Sequence, residues 1–366
     1  MSTEEQALGQ HGNFVVQRIA LVDRNTVGLT ALGPPSKDDP DRPSSSRVLS
    51  VNMTSGQWGW LHYDTAFRFR LAVALPVPDT GKQLMFWYNN SVGMMNYAAG
   101  PNEIEPGQLK NPASMRAGAW IDGHFYGCGA NDFFGRRNGP GDWTYLSLAE
   151  GRALENRSFG HIIGHSENDI YLISDTSFSD HPMYHWNGAE LTGLDFPDEV
   201  TSSDAAKTFV FSSFATAPDG RVFVGSTNGH LLMGTAGTGF VPVITPEPDA
   251  PKLPLKGLTW FEDALWAVDG AVLKRLNGTE WEEQQFWGDK QRPYRFETIT
   301  SGDDSLLVGS QFGAAMYHGG AWRKVFGTGD PDQWLALELL GEGVQDLENL
   351  RDSARTLRDL SRGADE

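Results

Sequence analysis

Two histidine pairs, His161-Ile162-Ile163-Gly164-His165 and His181-Pro182-Met183-Tyr184-His185, carry the i, i+4 spacing that puts two imidazoles on one helix face and there binds zinc. Their neighbours are β-formers and turn residues, and four steps along a strand span about 13 Å at ~3.3 Å per residue. One ion cannot bridge that distance, so no metal or other cofactor is expected. The spacings His-Glu-x-x-His and Gly-x-Ser-x-Gly, a Walker loop and a dinucleotide fingerprint are absent from the chain. Gly234-Thr235-Ala236-Gly237-Thr238-Gly239 is glycine-rich, but no helix pattern follows it and a hairpin explains it better. The single cysteine, Cys128, sits in Tyr126-Gly127-Cys128-Gly129. It reads as a small buried hydrophobe, and a chain with no internal disulfide fits a reducing compartment.

Charge narrows the partners. The 366 residues hold 47 acids against 29 bases, for a formal charge of −18. Binding to a phosphate backbone needs a basic stripe, so nucleic acids and anionic membranes are excluded as expected partners. A basic protein is favoured, because a negative field raises encounter rates with positive partners. Met1-Ser2-Thr3-Glu4-Glu5-Gln6 lacks the basic and apolar regions of a signal peptide, and no segment reaches the ~18 apolar residues of a bilayer span. The expectation is a cytoplasmic protein.

The elements that must position any site recur along the chain. A turn of Asp, Gly or Asn precedes a short apolar strand and a second Gly-rich turn at Ile121–Gly129, Glu167–Ser174, Pro218–Ser226, Glu262–Gly270 and Gly302–Ser310. Aligned on Tyr126, Tyr171, Phe223, Trp266 and Leu307, the steps are 45, 52, 43 and 41 residues. A second marker keeps the same register: the hairpins Leu276–Trp281 and Tyr317–Trp322 place Trp281 and Trp322 41 residues apart. Trp186-Asn187-Gly188 repeats the hairpin earlier, with Asn-Gly supplying the two positive-φ positions of a type I′ turn. Gln83–Tyr88 extends the series backward, and Thr26–Leu29 extends it again across a Pro-rich insertion at Pro34–Pro43. Asp122, Asp219, Asp263 and Asp304 recur at one turn, as expected where Asp stabilises a turn through its own backbone.

Repeats of 41 to 52 residues with this turn punctuation resemble the β-propeller class, over roughly Phe14 to Phe326. No named subfamily is matched: the Trp-Asp pair of WD repeats is missing from the blade ends, and the Gly-Gly pair of Kelch repeats occurs once, at Gly319-Gly320. The resemblance implies an all-β fold of seven four-stranded blades, or six if the first unit is misread. The N-terminal strand Phe14–Val22 is expected to pair with the last blade and close the ring. In the sixth unit, strands are expected at Leu255–Trp260, Ala264–Val268, Ala271–Leu276 and Glu280–Gln285. Residues 1–13 form the N-terminus, 14–328 the propeller and 329–366 an acidic tail. Val344, Leu347, Leu350, Ala354 and Leu357 follow the spacing of an amphipathic helix, which packs on the propeller or mediates association.

Propellers recognise partners with the loops joining strands D to A and B to C. On that face the sequence places Asp132, Phe133, Phe134, Arg136, Phe178, Asp180, His181, Glu199, Asp204, Trp287, Tyr294 and Phe312 as partner-binding residues. Aromatics and Arg rimmed by acids have the make-up of a protein hot spot. The expected function is non-catalytic protein binding, in its sharpest form an inhibitor or immunity protein capping a basic toxin or effector. Two alternatives stand beside it: a lyase or hydrolase with its site in the central channel, and a carbohydrate-binding lectin, favoured by 12 Trp.

Overall fold

The structure, a computed structural model, describes residues 115–147, 157–174, 181–197, 211–247, 253–270, 272–284, 296–302, 304–310 and 313–327, together with the strands of two sheets between residues 15 and 104. Among the described residues the chain forms strands β1 to β28, paired antiparallel into seven four-stranded sheets of consecutive strands. Side chains are described most fully in the five sheets from Met115 onward. The first strands of the sheets are β1 (Val15–Asp23), β5 (Ala72–Pro76), β9 (Met115–Ile121), β13 (Phe159–Ser166), β17 (Phe211–Thr216), β21 (Gly257–Phe261) and β25 (Phe296–Ser301). Each packs against the first strand of the next sheet, and β25 packs against β1. The protein is therefore an all-β propeller of four-stranded blades.

Each sequence marker lies in the second strand of its sheet: β10 (His124–Gly129), β14 (Asp169–Ser174), β18 (Val222–Ser226), β22 (Ala264–Val268) and β26 (Ser305–Ser310). These strands have neighbours within the sheet and a further sheet on each face, so β18 and β22 are buried at every position. Side chains alternate between the two adjoining cores. Ile170 and Leu172 pack with Tyr126, Cys128 and Phe134 of the preceding sheet, whereas Tyr171 and Ile173 pack with Phe211, Val222 and Val224 of the following one. Trp186 and Trp266 are buried, and the Trp266 indole donates to the Phe261 carbonyl at 2.9 Å, so these tryptophans do serve the sheets. In the sixth unit the strands fall at Gly257–Phe261, Ala264–Val268, Leu273–Asn277 and Glu280–Gln284, within three residues of the expected bounds.

Two expectations are corrected. Val15–Asp23 pairs with β2 (Thr26–Leu32), from Val15↔Leu32 to Asp23↔Thr26, and so opens the first sheet rather than completing the last. Only two residues separate the two strands, and closing so short a loop costs far less entropy than pairing across the whole chain. The Asn187-Gly188 turn has one positive φ, at Gly188 (92°), not two. Asn187 instead accepts from the Ala189 and Glu190 amides through Oδ1, the side-chain mimic of a turn. Gly319-Gly320 does take two positive φ values, 58° and 81°, between the paired His318 and Ala321. The acidic helix expected within 329–366 lies outside the described residues.

Candidate protein-binding faces

In a sheet that runs up and down, the first-to-second and third-to-fourth strand turns share one end of the blade, and the remaining loops share the other. The loop end is the face on which the sequence places its binding residues. There, among the described residues, Asp132 and Arg157 form the best-defined polar contact. Arg157 Nε lies 2.9 Å from Asp132 Oδ1, and its Nη2 donates to Oδ2 at 3.0 Å. The Asp132 amide donates to the Arg157 carbonyl at 2.8 Å, and the Asp132 carbonyl accepts from Ser147 Oγ. Arg157 also stacks 5.2 Å above the Tyr184 ring. Burial alone pulls the guanidinium pKa down, but Asp132 and Tyr184 outweigh it and hold it above its ordinary value. Asn131 and Asp132 both take positive φ (56° and 59°), so the turn that aims Asp132 inward is a strained one.

Phe133 and Phe134 are not at a loop tip. Both are fully buried: Phe133 meets Trp143 and Tyr145 edge-on, and Phe134 stacks near Tyr126 and meets Trp186. Phe134 begins β11 (Phe134–Gly139), so the strand starts where the sequence suggests a loop. Arg136 lies within that strand and reaches Glu167 in the next blade's first turn, at 3.5 Å. His181 does lie at the loop end, 3.7 Å from Asp195 and edge-on to Tyr184. Phe178, Asp180, Glu199, Asp204, Trp287, Tyr294 and Phe312 lie outside the described residues.

The turn end is rich in carboxylates. Asp122, Asp219, Glu262, Asp263 and Asp304 occupy the first turns, and Asp142, Glu190, Glu280 and Glu282 occupy or flank the hairpins; all are exposed. Asp122 and Asp263 hold positive φ (50° and 56°), which accounts for their place in the turn. Several bases at this end are already matched: Arg221 Nη2 lies 2.6 Å from Asp219, and hydrogen bonds from the Arg221 side chain keep that carboxyl below its usual pKa.

One constellation here escapes the spacing argument. His165 Nδ1 lies 3.0 Å from Asp169 Oδ2, and His185 Nε2 lies 2.8 Å from Oδ1, so one histidine from each sequence pair meets a shared carboxylate. The Tyr171 ring lies 4.7 Å from that of His185, tilted by 46°. Burial pushes its phenol up to about 12, opposed by the bond from the Ala236 amide and reinforced by Asp169. The i, i+4 spacings are incidental to this cluster. Its members come from three neighbouring strands, and only strand register brings them together.

The first strands surround a cavity of about 270 Å³, lined by Arg116, His161, Ser213, Lys256, Glu297 and Thr298 among others. Lys256 Nζ and Glu297 Oε1 are 2.7 Å apart across neighbouring sheets. Cys128 is fully buried and burial raises its thiol pKa, as a small core side chain requires. Among the described residues, no group of three or more His, Cys, Asp or Glu could hold a metal ion, and no helix is long and apolar enough to cross a membrane.

No protein-family model matches the chain, and no curated protein matches it. Solved structures do. U3-55K superposes with a TM-score of 0.57 at 8% identity, covering 81% of this chain and 89% of that one. YCF48 bound to a D1 peptide gives 0.45 at 11%, covering 85% and 81%, and a gluconolactonase-like structure gives 0.43 at 14%, covering 67% and 86%. At such identities the likeness concerns the fold alone.

Proposed function

We propose that the chain is a non-catalytic propeller of seven blades that binds a basic protein, in its sharpest form an inhibitor or immunity protein capping a basic toxin or effector. The observation that carries this reading is the turn end, where exposed carboxylates recur from blade to blade on a chain of net charge −18. Such a surface steers a cationic partner and suppresses acidic ones. The loop end supplies a second contact in the same reading, through His181 and through Phe178, Asp180, Glu199, Asp204, Trp287, Tyr294 and Phe312. Asp132, Phe133 and Phe134 support that face from within.

The test is retention of soluble proteins on the immobilised chain, followed by gel filtration of each retained protein with the free chain in low and in high salt. The expected partner has a basic pI and a complex that weakens as salt rises. Retained proteins with acidic pI values, or complexes indifferent to salt and to charge reversal of Asp122, Asp219 and Asp263, would sink the reading.

A second reading rests on the central cavity, where a lysine, a glutamate and a histidine line one space. A channel lyase or hydrolase predicts turnover that Glu297→Gln abolishes without lowering the unfolding midpoint.

A further inference from the structure

Between the fifth and sixth sheets, the hydrophobic core does not close at the turn end. Ala215, Phe223, Leu258 and Leu265 are buried there, but Met233, Val243, Trp260 and Leu276 are only partly covered. The next junction is filled instead, by Phe261, Trp266, Tyr317 and Trp322 in successive ring contacts of 6.1, 6.2 and 5.3 Å. The unfilled junction is a groove of about 340 Å³, within the ~300–1,000 Å³ of ordinary ligand sites. Its floor is Phe223 stacked on Trp260 at 5.9 Å, and its walls are Met233, Val241 and Leu276. Val241 is 54% exposed, one of two large hydrophobic side chains so open among the described residues.

The rim decides what fits. Arg221 lies along one side, spent on Asp219 and packed 5.6 Å over the Phe223 ring. Asp263 lines the groove and Glu262 precedes it. These two carboxylates are exposed and have no ionic partner among the described residues. Arg275 belongs to the opposite face of its strand, since Leu276 points into the groove. Strand addition is disfavoured as a binding mode, because the edge strand β20 (Gly239–Ile244) carries Pro242, which has no N–H to offer. The groove is therefore built to take side chains.

We propose that this groove is the docking site of a basic peptide segment of the partner, with an apolar or aromatic anchor seated on Phe223, Met233 and Trp260 and flanking Lys or Arg side chains meeting Asp263 and Glu262. Methionine at the wall suits such a site, since its flexible thioether adapts to the anchor. The inference rests on the basic-partner reading and gives it an address in the fold.

The probe is a fluorescein-labelled peptide with Leu-Trp flanked on each side by two lysines, read by fluorescence polarisation against the full chain. The charge control carries glutamates in place of the lysines, and the anchor control carries Gly-Gly in place of Leu-Trp. Both controls are expected to bind at least tenfold more weakly than the lysine peptide. Val241→Arg, which fills the groove with charge from an exposed position, and Asp263→Lys, at its rim, are each expected to weaken the lysine peptide at least fivefold with an unchanged unfolding midpoint. Equal affinity for wild type and both variants would overturn the groove while leaving the basic-partner reading intact. Failure of the peptide to bind a chain that still retains basic proteins would do the same. A chain that retains no basic protein at all would bring down both. A peptide-free dimer that Val241→Arg dissociates in sedimentation would overturn the proposal by assigning the groove to a second copy.

Discussion

Asp132 is the residue at which a binding role and a structural role predict opposite experiments. Its side chain is 8% exposed and accepts two charge-assisted contacts, at 2.9 and 3.0 Å, from Arg157, itself 21% exposed. Truncation to Ala leaves the guanidinium facing the vacated carboxylate position, with the Tyr184 ring still 5.2 Å from it. Removing one partner of a fully buried pair costs about 3–5 kcal/mol, and the partial access of water to Arg157 lowers that to about 2–4 kcal/mol. Asp132→Ala is expected to lose that much in urea unfolding. Arg157→Met keeps most of the packing but takes the guanidinium from the more deeply buried Asp132 carboxylate, and should cost at least as much. The double variant should fall short of the sum of the singles by about 0.5–3 kcal/mol, the coupling of a hydrogen-bonded pair. Partner affinity, measured on the folded fraction, should change by less than threefold. An Asp132→Ala chain as stable as wild type but unable to hold the partner would refute this assignment and restore the carboxylate to the binding surface.

Three further outcomes follow from the cores and the hairpins. Cys128 should resist a thiol reagent in the native state and react with the midpoint of global unfolding, since burial disfavours its thiolate; native labelling would contradict the packing. Gly234→Ala should destabilise by about 2–3 kcal/mol, because its Cβ would stand 2.0 Å from the Gly239 carbonyl oxygen, whereas Gly237→Ala, with nothing closer than 4.0 Å, should change stability by under about 0.5 kcal/mol. Tyr171, raised from 10.0 to about 12 in the folded chain, contributes stability that is complete below pH 10 and lost as pH rises through 12. By pH 11 the loss is about 1.4 kcal/mol, so the stability gap between wild type and Tyr171→Phe should narrow by about that amount between pH 8 and pH 11, and a constant gap would reject the shift.

Architecture was legible because blade formation repeats local chemistry. Tyr171, Phe223 and Trp266 stand at equivalent second-strand positions, each between two sheets, and such positions demand large apolar side chains every blade. The turns were legible for the same reason: Asp122 and Asp263 occupy positive-φ positions that few other side chains tolerate. The site was not, because partners there are set by register between strands and between blades. Nothing in the sequence near Phe133 and Phe134 distinguishes an aromatic at a loop tip from one folded under it; the inward Asp132–Arg157 contact, 25 residues apart, decides that. Equally, two histidine pairs with a familiar spacing proved irrelevant as pairs, while one member of each converged on Asp169.

The recurrent aspartates show how a structural feature becomes available for function without being designed for it at each position. From Asp122 onward, turn geometry places acids in the first turns of the described blades and leaves their carboxylates in water, so the propeller acquires a negative rim as a by-product of its punctuation. A diffuse rim accelerates encounter but selects little, because exposed charges are screened beyond about 8–10 Å in physiological salt. Selection needs a desolvated contact beside the charge. Among the described blades, the junction between Phe223 and Trp260 joins the two, an open apolar floor directly under unpaired carboxylates. Salt should therefore act chiefly on the association rate of a basic partner, and substitutions at Val241 chiefly on its dissociation rate. Stopped-flow association and dissociation measured on one partner would separate them. A Val241→Arg effect confined to association would show that the groove senses charge alone and holds no anchor.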